Sequence, residues 1–201
     1  MIRVLIVDDH DVVREGLKLI VSDTPDIVVA DEAGSGQEAL DKVLKNDYDV
    51  VVLDISLPDI SGLEILKELV HRKPETRVLI LSVHSEEQYG LRVLRGGASG
   101  YLSKRTAGDE LVTAIRKIAS GKKFVTTTLS ENLASVLATG IGKAPHEMLS
   151  DREHQIMLLL AAGKSIREIA EELLLSVNTV KTYKARVLEK MNFRNTAELT
   201  R

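Results

Sequence analysis

The sequence predicts an α/β chain: a doubly wound five-stranded parallel sheet followed by a small all-α helix-turn-helix unit. Three features lead there. Short apolar runs alternate with amphipathic segments through the first 121 of 201 residues. Several runs end in reactive side chains, as strands of open α/β sheets do where they meet ligands. From residue 149 onward only helical periodicity remains.

Strands are expected near 2–7, 26–33, 50–54, 77–81 and 99–103, and helices near 11–22, 36–46, 61–72, 86–96 and 107–119. Val50-Val51-Val52-Leu53 is an unbroken apolar run, which reads as a strand buried on both faces. Gly121-Lys122-Lys123 closes this first domain, 1–121. Residues 122–146 form a linker in which Thr126-Thr127-Thr128 leads into a short helix, Leu129 to Ala138, broken by Gly140, Gly142 and Pro145. The third region is 147–201. Ser150 and Glu153 have capping-box spacing, and Ile156, Met157, Leu159 and Leu160 mark the buried side of the helix they open. Gly163 stops that helix. A second begins at Ser165 with Ile166, Ile169, Ala170 and Leu173 on one face, and Leu174-Leu175 connects it to a third, 176–191, capped by Ser176.

Only two Phe and no Trp mean an aliphatic core. Without cysteine there are no disulfides and no thiolate metal sites, which suits a reducing cytoplasm. The chain opens on a strand rather than a signal peptide, and no apolar run could span a bilayer. The net charge of −3 is uneven: residues 1–121 hold 15 basic and 21 acidic side chains, 147–201 nine and eight. An acidic front and a slightly basic rear suit a regulated binder of an anionic polymer.

The strand ends carry the chemistry. Ile2 to Val7 delivers Asp8 and Asp9, Val50 to Leu53 delivers Asp54, Arg77 to Leu81 delivers Ser82, and Ser99 to Ser103 delivers Lys104. Three carboxylates so close need compensation. A hard dication supplies it, and Mg²⁺ with oxygen ligands is expected. Mg²⁺ and the Lys104 ammonium together suit a dianionic phosphoryl group, and attack by Asp54 on activated phosphorus gives an acyl phosphate. His10 and His84 are expected in loops rather than as Mg²⁺ ligands.

These residues also carry a family resemblance. Val7-Asp8-Asp9-His10, Val52-Leu53-Asp54, Leu57-Pro58-Asp59-Ile60-Ser61-Gly62, Leu81-Ser82-Val83-His84 and Gly97 to Lys104 resemble the flavodoxin-like (CheY-like) receiver domain of two-component response regulators. The resemblance implies that Asp54 is the phosphoacceptor and that Asp8, Asp9, Asp54 and the Ile55 main-chain carbonyl hold Mg²⁺. It makes Ser82 the switch hydroxyl, Tyr101 the switch aromatic and Lys104 the phosphate-binding lysine. Ser56 and His84 would flank the site where the family tunes phosphoryl lifetime. Many receivers have Pro where this chain has Arg105. Leu149 to Glu153, Ala162-Gly163-Lys164-Ser165, Glu168-Ile169-Ala170 and Ser176 to Lys181 resemble the LuxR-type output domain, so the chain looks like a response regulator of the NarL/FixJ type. A sensor histidine kinase, double-stranded DNA and a second copy in a homodimer are the implied partners, and no membrane. A closing helix from Asn195 is also implied, of which the chain holds only the start.

A helical projection of 176–191 supports the DNA reading independently. Val177, Val180, Val187, Leu188 and Met191 share one arc; Asn178, Lys181, Thr182, Ala185, Arg186 and Glu189 share the other. The resemblance puts Lys181, Thr182 and Ala185 against base edges in a major groove. Thr179, Lys184 and Arg186 suit phosphate contacts. Two other readings stay open. An aspartyl-phosphate hydrolase would need a second acid two residues after Asp54, where Ser56 stands, and an adaptor would use the helical tail to bind protein.

Overall fold

The structure is a computed structural model that describes residues 1–139 and 149–200. It forms two compact units, Met1–Ala138 and Thr139–Arg201. In the first, β1 (Ile2–Val7), α1 (Asp11–Ser22), β2 (Ile27–Ala33), α2 (Gly36–Lys45), β3 (Val50–Asp54), α3 (Gly62–Arg72), β4 (Arg77–Ser82), α4 (Glu86–Arg95), β5 (Gly100–Ser103) and α5 (Ala107–Ala119) alternate, and α6 (Thr127–Thr139) follows. The strands lie in the order β2-β1-β3-β4-β5, every neighbouring pair parallel. The chain reverses its direction of travel at β1, so the crevice outside the carboxyl ends of β1 and β3 is the topological switch point.

Successive strand side chains point to opposite faces. Val4, Ile6, Val50, Val52, Leu79, Leu81 and Leu102 form one buried cluster with Leu17 and Val21 of α1 and Leu111, Ala114, Ile115 and Ile118 of α5. The intervening Leu5, Val7, Val51, Leu53 and Ile80 are equally buried, as are Val43 of α2, Ile65, Leu66 and Leu69 of α3 and Val93 of α4. The sheet is thus wound on both faces, and its interior is aliphatic as the composition requires.

The expected linker is not a separate element over its first part. Residues up to Ala138 group with the first unit. Phe124 makes a single parallel bridge to Gly100, beside β5. The helix begins at Thr127 rather than Leu129, because Thr126 Oγ1 accepts from Leu129 N at 3.2 Å and so caps it. Gly140, Gly142 and Pro145 lie outside the described residues.

The second unit contains α7 (Asp151–Ala161), α8 (Ile166–Glu172), α9 (Val177–Met191) and a 3-10 turn, Thr196–Thr200, where the resemblance implied the start of a closing helix. Ile156, Leu159, Leu160, Ile169, Ala170, Leu173 and Val180 form its core, with Leu199 packed against it. Met157, expected among them, is only half-buried. The capping box at Ser150 is complete: Glu153 N donates to Ser150 Oγ at 3.3 Å and Ser150 N to Glu153 Oε2 at 2.7 Å. Ser165 and Glu168 repeat it at the start of α8. Lys190 Nζ lies 2.6 Å from Glu153 Oε2 and ties α9 to the head of α7.

Two predictions follow from this packing. A methyl at Gly62 would lie 2.2 Å from the Asp54 carbonyl oxygen and 2.7 Å from Ile55 Cα, both backbone atoms that cannot swing aside. Gly62→Ala should therefore destabilise the first unit by about 1–3 kcal/mol, measured as a lower urea midpoint. Glu153 is buried, which raises its pKa, but Lys190 and Ser150 outweigh burial and hold it below the usual carboxylate range. Because the folded value is depressed, this contribution is full above the unfolded pKa of about 4.3 and is lost as pH falls through the folded value. Amide exchange in α7 should report that acid limb, and Glu153→Gln should flatten it.

Candidate functional site: an acidic strand-end pocket and a cationic helix

β1, β3 and β5 bring Asp8, Asp9, Asp54 and Lys104 to the switch point. Asp8 is fully buried, Asp54 is 2% exposed, and the Lys104 side chain 14%. Lys104 Nζ lies 2.6 Å from Asp54 Oδ2 and 2.6 Å from Asp8 Oδ2, between the two carboxylates. Asp54 Oδ1 accepts from Ser56 N at 3.2 Å. Burial pushes the Asp54 pKa up and Lys104 pulls it down, with Asp8 adding to the rise; the net shift is upward. Burial lowers Lys104, but Asp54 and Asp8 more than restore it, so the ammonium is retained.

One charged amine is not enough for three acids. Among the described residues, the buried Asp8 Oδ2 meets Lys104 Nζ at 2.6 Å, an ammonium it shares with Asp54, and Asp9 Oδ1 meets His10 Nδ1 at 2.9 Å. Like charges held so close without further compensation are costly. One ligand atom each from Asp8, Asp9, His10 and Asp54 falls within 4.8 Å of the others. A dication in that space would offset the carboxylate charge that one shared ammonium leaves, so the residues present fit a hard metal ion. The Ile55 carbonyl, expected in the same set, accepts from Gly62 N at 3.0 Å and is engaged with the start of α3.

Ser82 and Tyr101 stand on the adjoining side. Ser82 is fully buried and its Oγ accepts from His84 N at 3.2 Å. Tyr101 is 1% exposed and donates its hydroxyl to His84 O at 2.8 Å. Burial drives its phenol well above the ordinary tyrosine range. Ser82 also binds the chain beyond β5, because its carbonyl accepts from Lys104 N at 2.8 Å.

Several contributors were not picked out from sequence. His10, expected as a loop residue, folds back so that Nδ1 lies 3.2 Å from Asp8 Oδ1 and 2.9 Å from Asp9 Oδ1. Arg14 Nη1 donates to the Asp8 carbonyl at 2.6 Å. His84 Nε2 stands 3.5 Å from Ser56 Oγ, a contact between the two residues that the resemblance had already set at the flank of the site. Asp59 accepts from Gly36 N at 2.8 Å and Gln37 N at 2.9 Å, anchoring the loop after Asp54 to the amino end of α2. Burial would raise Asp59, yet those amides leave its pKa depressed. Its place in Leu57-Pro58-Asp59 was the available signal.

In the second unit, α9 presents the polar arc the projection required. Asn178, Lys181, Thr182, Ala185, Arg186 and Glu189 are all exposed, and Val180 and Val187 are buried. Lys184 and Thr179 are half-buried at the margin. Ser176 Oγ accepts from Thr179 N at 3.0 Å, and Thr182 Oγ1 donates to Asn178 O at 3.0 Å. Arg186 lies 5.9 Å over the Tyr183 ring. Val177, expected on the buried arc, is 37% exposed. It sits in the first turn of α9, beside the exposed Leu174, whose backbone at φ +50° makes the tight connection from α8.

Residues 4–116 match the family model described as the response regulator receiver domain, and residues 147–201 the one described as bacterial regulatory proteins of the luxR family. The chain is 38% identical over 201 residues to response regulator UvrY of Escherichia coli K12, covering all of this chain and 92% of that one. A LuxR-family two-component response regulator from Aurantimonas sp. SI85-9A1 has a crystal structure 30% identical to this chain, covering 69% of it and 99% of that chain at a TM-score of 0.63. RcsB from Salmonella enterica serovar Typhimurium, solved bound to promoter rprA with the phosphomimetic BeF3−, shares the fold at TM-score 0.67 and 23% identity, over 99% of this chain and 96% of that one. No helix among the described residues is long and apolar enough to cross a membrane. The chain belongs to the two-component response regulators of the NarL/FixJ type, transcriptional regulators that join a receiver domain to a LuxR-type output domain.

Proposed function

We propose that Asp54 accepts a phosphoryl group from a sensor histidine kinase in the cytoplasm and that this changes how a homodimer of the chain engages double-stranded DNA through α9. The observation that carries the reading is the convergence of Asp8, Asp9, Asp54 and Lys104, three carboxylates around one ammonium. In the transfer, an Asp54 carboxylate oxygen forms a bond to phosphorus while the bond from phosphorus to the donor breaks and the donor leaves with the electron pair. Lys104 follows the phosphoryl oxygens, and Asp8 and Asp9 would hold the metal. Mg²⁺, when bound, would supply positive charge to offset that of the transferring group. Ser82 follows Leu81, the register partner of Asp54 on β4, and would donate its hydroxyl to one of the phosphoryl oxygens. The Ile55 carbonyl accepts from Gly62 N and keeps a second lone pair, with which it would complete the metal set.

On α9, Lys181 has an exposed ammonium suited to the acceptor-rich edge of guanine. Asn178, Thr182 and Ala185 flank it, and Ala185 offers only apolar contact. Thr179, Lys184 and Arg186 are assigned to phosphates, which fix register without reading sequence. Paired half-sites are expected of a dimeric reader. The hydrolase alternative lacks its second carboxylate, since Ser56 occupies that position opposite His84.

Acetyl phosphate with Mg²⁺ should leave a hydroxylamine-sensitive adduct on the parent protein and none on Asp54→Asn, and labelling of that variant would refute the assignment. Mg²⁺ at about ten times its dissociation constant should raise the unfolding free energy of the first unit by about 1.4 kcal/mol, an effect that Asp9→Asn weakens. Lys181→Ala should leave labelling intact but cost about 1–3 kcal/mol in operator affinity, whereas Arg186→Ala should lower the salt slope of binding by about one. Fluorescence anisotropy over a salt series measures both.

A further inference from the structure

The chain leaving α5 is fastened across β5 and α4 before α6 continues. Lys123 Nζ donates to Ala98 O at 2.7 Å and Phe124 N to Ser99 O at 2.9 Å. Thr126 then uses both ends of its hydroxyl: the oxygen caps α6, and the proton goes to Glu86 Oε2 on the first residue of α4. Leu129, 1% exposed, lies over Gly90 of α4, where an added Cβ would come within 2.7 Å of Leu129 Cδ1. Glycine inside a helix lowers its stability. At position 90 it makes room for Leu129.

Glu86 directly follows the loop of Val83, His84 and Ser85. That loop is held from within by Ser82 Oγ, through His84 N, and by the Tyr101 hydroxyl, through His84 O. The second Glu86 oxygen, Oε1, is buried without a hydrogen-bond partner among the described residues. The Glu86 contact therefore carries an uncompensated desolvation cost and holds only while the loop keeps its place. A contact of that kind is readily tipped by a small differential interaction elsewhere.

We propose that the first turn of α6 is a strap seated on α4, and that phosphorylation of Asp54 unseats it. The inference rests on the reading of Asp54 given above. Turning Ser82 toward a phosphoryl oxygen withdraws its Oγ from the His84 amide. The loop then shifts and takes Glu86 away from Thr126. α6 loses its cap partner, and Leu129 loses its seat on Gly90. The signal passes from the pocket to the chain that leads into the output unit through one loop and one glutamate.

Hydrogen exchange on the full chain tests this, with beryllofluoride and Mg²⁺ as the phosphoryl mimic. Amides 127–131 should exchange about tenfold faster with the mimic, together with altered exchange at 83–86. Leu129→Ala, and Gly90→Ala with its better helix former, should show the fast α6 exchange without the mimic. Asp54→Asn should respond at neither segment. Altered exchange at 83–86 with 127–131 unchanged would overturn the strap while leaving the pocket assignment standing. No response at either segment in the parent protein would overturn the strap along with the Asp54 assignment. Parent-like slow exchange of α6 in both Leu129→Ala and Gly90→Ala would also reject it.

Discussion

The ammonium of Lys104, held between the carboxylates of Asp8 and Asp54, is the contact on which the receiver depends. Two fully or almost fully buried acids at that separation repel, and a single buried cation offsets part of that cost. Each member stands at the end of a different strand, β1, β3 or β5. The cluster therefore exists only when three non-adjacent pieces of chain pair in register, so fold and site are one constraint. Asp9 adds a third carboxylate, and its Oδ1 meets His10 Nδ1 at 2.9 Å.

The surrounding residues hold this arrangement in place. Asp59 clamps the loop after Asp54 to the amino end of α2, Gly62 lets α3 begin against the Asp54 carbonyl, and Arg14 braces the Asp8 carbonyl from α1. None of these touches the reacting atoms. All hold the backbone on either side of the strand-end acids, and a chemistry made of positioning would depend on that.

Much of this was legible in the sequence. Unbroken Val50 to Leu53 dictates a buried parallel strand, and strand-end acids at Asp8, Asp9 and Asp54 dictate a cation site wherever the strands lie side by side. The helix of 177–191 separates its arcs so cleanly that all six expected polar positions are exposed. What escaped is a side-chain choice and a long-range contact: His10 folds onto the two carboxylates just before it, and Asp59 reaches across to α2. The resemblance had already set His84 and Ser56 at the flank of the site. Val177 failed for a different reason: an ideal projection assumes a helix covered along its whole length, and the first turn of α9 is not. Phe124 and Leu129 look like ordinary apolar residues until β5 and α4 are present to receive them.

The bridge between Phe124 and Gly100 has a practical consequence for dissecting the protein. β5 is the last strand on its side of the sheet, and Phe124, with Lys117 poised 5.6 Å over its ring, is what blunts that border. A fragment ending at residue 121 would lose that bridge and free the Ser99 carbonyl that Phe124 N occupies, lengthening an edge open to pairing between molecules. Self-association of such a fragment would report an artefact of where it was cut, whereas one carried through Ala138 keeps the bridge.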